Sequence, residues 1–96
     1  MEPFSKLTKA VKAKLETKFP SSEQEQAATL LLQYTFGREI ERVHLDALEV
    51  CESSLVKLRK LVELANQDYR DLIMAAEYDI IDGEPILKPK FAGRYG

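Results

Sequence analysis

The sequence predicts an all-α fold of three helices. An N-terminal helix precedes a long antiparallel helical hairpin over about 22–52 and 54–78, and an irregular C-terminal arm follows. Three observations carry this. Apolar residues recur at spacings of three and four through most of residues 4–76, the period of a single helix face. Between Pro20 and Gly83 the only glycine or proline is Gly37, so nothing else of that kind interrupts the pattern. Apolar residues make up 45% of the 96-residue chain and charged residues 31%, a balance that supports one folded domain and excludes wholesale disorder.

The first helix is predicted from Pro3 to Phe19. Phe4, Leu7, Val11 and Leu15 mark its apolar side. Pro3 suits a first turn, where its missing N–H would be unpaired anyway, and Pro20 stops the helix. The opposite side carries Lys6, Lys9, Lys12, Lys14 and Lys18, so residues 1–19 hold five lysines against two glutamates. The second helix is expected to open on Ser22 and Glu25, which have the spacing of a capping box. Its pattern runs through Leu30, Leu31, Leu32, Tyr34 and Phe36, meets Gly37, and resumes at Ile40. Gly37 reads as a C-cap, a kink or a point of close helix packing.

Ser53 and Ser54 are good N-cap residues and are expected to separate the second helix from the third. The competing reading is one unbroken helix from about Arg38 to Asp79. Leu48, Cys51, Leu55, Leu58, Val62, Ala65, Tyr69, Leu72 and Ala76 keep a coiled-coil spacing straight through the serines. Beyond residue 79, Pro85 and Pro89 forbid a helix. Residues 80–96 are therefore expected to form an extended arm, with Ile80, Ile81, Ile86, Leu87 and Phe91 packing on the helices. A hairpin across Asp82-Gly83 is weakly signalled, since Pro85 removes a ladder donor. Residues 92–96 read as a frayed end.

The stretch from Leu58 through Arg59-Lys60-Leu61-Val62-Glu63-Leu64-Ala65-Asn66-Gln67-Asp68-Tyr69-Arg70-Asp71 to Leu72, with Ala76-Glu77-Tyr78 after it, resembles a segment of small bacterial helical proteins of no assigned activity. The resemblance implies a bacterial origin and a helix beginning near Ser54. It implies no reaction, ligand or partner.

Composition excludes several functions. The apolar run Ala27–Leu32, broken by Thr29, is far too short to cross a bilayer. One cysteine and one histidine leave no cysteine-rich zinc site and no nucleophile–base pair. No phosphate-binding glycine loop or catalytic elbow is present. A formal net charge of −2 argues against nucleic acid as a partner. The N-terminus lacks a signal-peptide apolar stretch, and the lone cysteine fits a reducing compartment, so a cytoplasmic location is expected.

Four places bear chemistry. Glu41 and His44 have the Glu-x-x-His spacing of di-iron helical bundles; a metal-binding ferritin-like bundle is the alternative reading. The plainer expectation is a half-buried histidine with its polar edge in water and no metal or cofactor. Cys51 lies on the apolar seam and reads as a buried structural thiol. Asp68, Arg70 and Asp71 form a charged cluster on the third helix and are expected to bind a partner. Lys6, Lys9 and Lys12 are the second expected partner-binding group. The lysine face can also dock on the acidic stretch 37–52, which holds five carboxylates against two arginines. Leu30, Leu31 and Leu32 in succession cannot all face one partner, and Leu61 and Leu64 lie off the seam. That apolar excess predicts a homodimer closing a four-helix bundle. The function expected from the sequence is a non-enzymatic helical interaction or assembly module.

Overall fold

The computed structural model describes residues 3–91. Its elements are a 3₁₀ turn (Pro3–Lys6), helices α1 (Lys9–Lys18), α2 (Ser21–Leu32), α3 (Ile40–Val50), α4 (Leu55–Gln67) and α5 (Tyr69–Glu77), and strands β1 (Tyr78–Ile81) and β2 (Glu84–Leu87). The fold is all-α with a small C-terminal hairpin. The expected frayed end at 92–96 lies outside the described residues.

Local chemistry sets the first boundaries. Pro3 opens the 3₁₀ turn, and the Thr8 hydroxyl then accepts from the Val11 N–H at 3.4 Å to start α1. The predicted single first helix is therefore two pieces. Phe19 caps α1 where Pro20 forbids another turn. The expected Ser22–Glu25 capping box does not form. Pro20 is the N-cap residue of α2, which places Ser22 inside the first turn. The Gln24 amide instead donates to the Phe19 carbonyl at 3.0 Å.

The long helical hairpin is also corrected, because each of its arms is broken. The first arm ends at Leu32 and resumes at Ile40. Between them Gly37 has φ +87° and Glu39 sits left-handed at φ 50°, conformations a helix cannot contain. A Cβ on Gly37 would meet nothing within 4 Å, so the glycine serves backbone conformation and not close packing. The second arm breaks at Asp68, whose φ of −159° and ψ of 106° are extended. Its N–H closes α4 on the Leu64 carbonyl, and its carboxylate accepts from the Arg70 N–H to cap α5. The predicted break at the serines does form. Ser54 caps α4 through the Lys57 N–H at 3.2 Å, after Glu52 and Ser53 turn the chain with positive φ. The unbroken coiled-coil helix is thereby excluded.

Helix α2 packs chiefly on α4, α3 chiefly on α5, and α1 lies against α3 and α2. The core holds Val11 and Leu15 of α1, Ala27, Ala28 and Leu31 of α2, Val43, Ala47 and Leu48 of α3, Leu58, Val62 and Ala65 of α4, and Leu72 of α5. Leu30, Leu32 and Leu61 pack half-buried against it. Five short helices thus use up most of the leucine excess within one chain, and a four-helix bundle of paired long hairpins has no arms to build it from.

The C-terminal arm is more ordered than its prolines predict. Tyr78 pairs with Leu87, Asp79 with Ile86, Ile80 with Pro85 and Ile81 with Glu84. Asp82 and Gly83 both have positive φ, 51° and 81°, as a two-residue type I′ turn requires. Bonded and non-bonded pairs alternate from the turn. Ile80–Pro85 is therefore a non-bonded pair, and the missing Pro85 donor costs no ladder bond. Lys88 N–H donating to the Glu77 carbonyl at 2.7 Å continues the alternation. Ile80, Ile81 and Ile86 do not pack on the helices as expected but are exposed, whereas Phe91 is buried.

Candidate interaction surface

The sites expected from the sequence fall in separate places. Lys6 and Lys9 are exposed, and the Lys12 ammonium lies 5.9 Å from the centre of the Phe4 ring. Further along α1, Lys14 and Lys18 reach the Glu49 carboxylate at 3.3 and 3.8 Å, and Lys90 pairs with the same group. The basic side of α1 therefore docks in part on the chain's own acidic stretch. Burial works to raise the Glu49 carboxyl, but hydrogen bonds and charge from Lys90 and Lys14 outweigh it and hold the group below the usual carboxylate range.

His44 is buried and not half-exposed. Its Nε2 lies 2.8 Å from the Leu31 carbonyl, so Nε2 carries the proton and donates to the last turn of α2. Its ring meets Tyr34 edge-on, with centroids 6.3 Å apart. Desolvation holds its pKa below the ordinary histidine value, against the opposing pull of the Leu31 carbonyl and Glu41. Glu41 is exposed. Among the described residues no three histidine, cysteine, aspartate or glutamate side chains are grouped to hold a metal. Glu41 and His44 thus serve different surroundings, one solvent and one the end of a helix. Cys51 is buried, with Sγ 3.4 Å from the Leu48 carbonyl.

Asn66 completes the tie at the end of α2. Its amide donates to the Gln33 carbonyl at 2.9 Å and accepts from the Thr35 N–H at 2.8 Å. The backbone groups left over where a helix stops are thus met by one side chain from α3 and one from α4. The connection at 33–39 is thereby held in place over α5.

That connection and α5 build the surface. Arg70 forms a two-pronged pair with Asp68, both contacts at 3.0 Å. Through this bond the Arg70 guanidinium lowers the pKa of Asp68, and the Asp68 carboxylate raises that of Arg70. Asp71 is exposed in the first turn of α5. The Phe36 ring, from the connection, packs on Tyr69 with centroids 5.3 Å apart and planes tilted by 57°. Two adjoining depressions of about 350 Å³ each share Tyr69 and Arg70. One is walled by Phe36 and Arg38, the other by Ile73, Met74, Tyr78 and Glu39. Beneath the second, Arg42 grips Glu77 with both prongs, at 2.9 and 2.7 Å, and ties α3 to the end of α5. The structure thus brings Asp68 and Arg70 beside Phe36, Arg38, Met74 and Tyr78, which the sequence reading did not single out, and Asp71 lines neither depression. An aromatic next to a glycine, at Phe36-Gly37, is the one local sign that could have marked the connection.

A separate shallow groove of about 450 Å³ between α2 and α4 is lined by Leu30, Leu55, Val56, Gln26, Thr29 and Arg59. No helix among the described residues is long and apolar enough to cross a membrane. No protein-family model, curated protein or solved structure matches this chain.

Proposed function

We propose that the chain is a non-enzymatic assembly module of the cytoplasm that pairs with a second copy of itself. The surface it uses runs from the 33–39 connection over α5 to the hairpin. One observation carries this reading. Of the seven large apolar side chains exposed among the described residues, Phe36, Ile40, Met74 and Ile80 belong to the connection and start of α3, α5 and the Tyr78 face of the hairpin, while Ile81 and Ile86 lie on the hairpin's other face. Exposed apolar area collected in this way marks an interaction surface more than a solvent face, and aromatic residues, methionine and arginine are the residue types enriched in interface cores.

A second copy fits because the surface carries both signs side by side: Arg38 and Arg70 against Glu39 and Asp68. A two-fold pairing presents the same patch to itself, so a patch of mixed sign complements its own copy where a patch of one sign would repel it. The reducing compartment rests on Cys51, a single buried thiol. Sedimentation over a wide concentration range tests the reading. A mass approaching twice the 10.9 kDa chain supports it, and the chain mass at every concentration refutes it.

A further inference from the structure

Resting on that assembly reading, we infer that two copies join through the outer edge of β1, in antiparallel register about a two-fold axis at Ile80, to make a four-stranded sheet. In the hairpin, residues of non-bonded pairs point their N–H and C=O groups away from the partner strand. Ile80 and Pro85 are such a pair. At the outer edge of β2 the central position is therefore Pro85, which has no N–H to offer, as in many protected edges. At the outer edge of β1 the same position is Ile80, which offers both donor and acceptor. Among the described residues no acceptor outside the hairpin meets its N–H. The hairpin thus has one blunted edge and one open edge.

An open edge with one donor–acceptor residue at its centre is self-complementary. Two copies related by a two-fold axis exchange Ile80 N–H and C=O with each other. Charge selects this register over its neighbour. A two-fold axis at Asp79 would set two carboxylates directly opposite, which is unfavourable, and would call on the Tyr78 N–H, already given to the Met74 carbonyl. An axis at Ile80 instead sets Asp79 opposite Ile81 of the second copy. Tyr78, Ile80, Pro85 and Leu87 share one face of the hairpin, and Ile80 is 66% exposed there. The joined sheet lines up Pro85, Ile80, the second copy's Ile80 and its Pro85 in one unbroken apolar row. That row continues the Met74–Tyr78 side of the surface described above.

Sedimentation equilibrium of the full chain and three variants tests this. Ile80→Pro removes the outward donor and leaves the ladder bonds of the hairpin in place, and Ile80→Lys sets two ammonium groups against each other at the axis. Both are expected to weaken self-association by at least tenfold, with the far-UV circular dichroism unchanged. Ile81→Lys sets an ammonium opposite Asp79 of the second copy, so that variant is expected to remain dimeric and to become more sensitive to salt. If the wild-type chain dimerises and both Ile80 variants dimerise as tightly, the edge is not the interface, and self-assembly stands on another surface. Loss of the dimer in Ile81→Lys would overturn the register. A wild-type chain that is monomeric throughout overturns both the edge pairing and the assembly reading.

Discussion

Replacing His44 by Phe isolates one buried polar contact that holds two helices together. The ring volume is nearly kept, so the core changes little, but the Nε2–H donor to the Leu31 carbonyl is lost. A buried carbonyl left wholly unsatisfied costs about 1–3 kcal/mol. Here the Leu31 carbonyl keeps the Tyr34 N–H at 3.1 Å, so the cost falls toward the lower part of that range, about 1–2 kcal/mol. For a domain of this size that is roughly 4–16 °C in Tm. The pH dependence is more specific than the loss itself. His44 is held neutral by burial, with its pKa lowered in the fold. The unfolded chain therefore binds the proton first. The stabilisation is full above about pH 6.5, the unfolded value, and is lost as pH falls from there through the folded value, with a slope of at most about 1.4 kcal/mol per pH unit. Urea titrations at several pH values between 8 and 5 measure it. The wild type should lose stability over the lower part of that range, and His44→Phe should be flatter there. Equal slopes in the two proteins would show that the buried ring is not the group responsible.

Three further outcomes follow from the geometry. Asn66→Ala removes both amide contacts to the end of α2; because the site is exposed, water takes over part of the bonding, and a loss of about 1 kcal/mol is expected, with faster hydrogen exchange at Thr35 as the local readout. Glu49→Gln disperses the lysine cluster of α1 and Lys90; after allowing for the exposure of Lys90, about 1 kcal/mol is expected. The lowered Glu49 pKa places that contribution above the unfolded value near 4.5 and removes it as pH falls through the folded value, so acid titrations of the two proteins should converge at low pH. Leu58→Ala, at a side chain with no exposed surface, should cost about 2–5 kcal/mol by chemical denaturation; a loss below 1 kcal/mol would mean that α4 does not pack as described.

The alternating seam from Leu48 to Ala76 was legible in the sequence: Leu48, Cys51, Leu58, Val62, Ala65, Leu72 and Ala76 are buried, and Leu55 and Tyr69 are partly buried. Burial follows helical period, and period is written in the order of the side chains. The break at Asp68 left no trace in that period. One extended residue separates α4 from α5, yet both halves turn their apolar sides to the same core, so the spacing of three and four runs on undisturbed. Asp68 was visible only as a charge. Its role as the cap of α5, which aims Arg70 back on its carboxylate, depends on a backbone angle. Pro85 misled in the opposite direction. A proline in a strand signals against pairing, but its effect depends on which edge its nitrogen faces, and register alone decides that.

What the sequence determined by itself is therefore the local part: an all-α chain, the cap at Ser54, the stop at Pro20, the turn at Asp82-Gly83 and the core positions of each helix. These depend on neighbours within a few residues, whose backbone preferences act in any context. Tertiary structure alone decided that His44 and Asn66 meet the end of α2, that Glu49 gathers Lys14, Lys18 and Lys90, and that Phe36 reaches Tyr69 across 33 positions of the chain. Such contacts join groups distant in sequence, and their energies exist only after five short helices have packed. The surface on which the proposed function rests belongs to this second class.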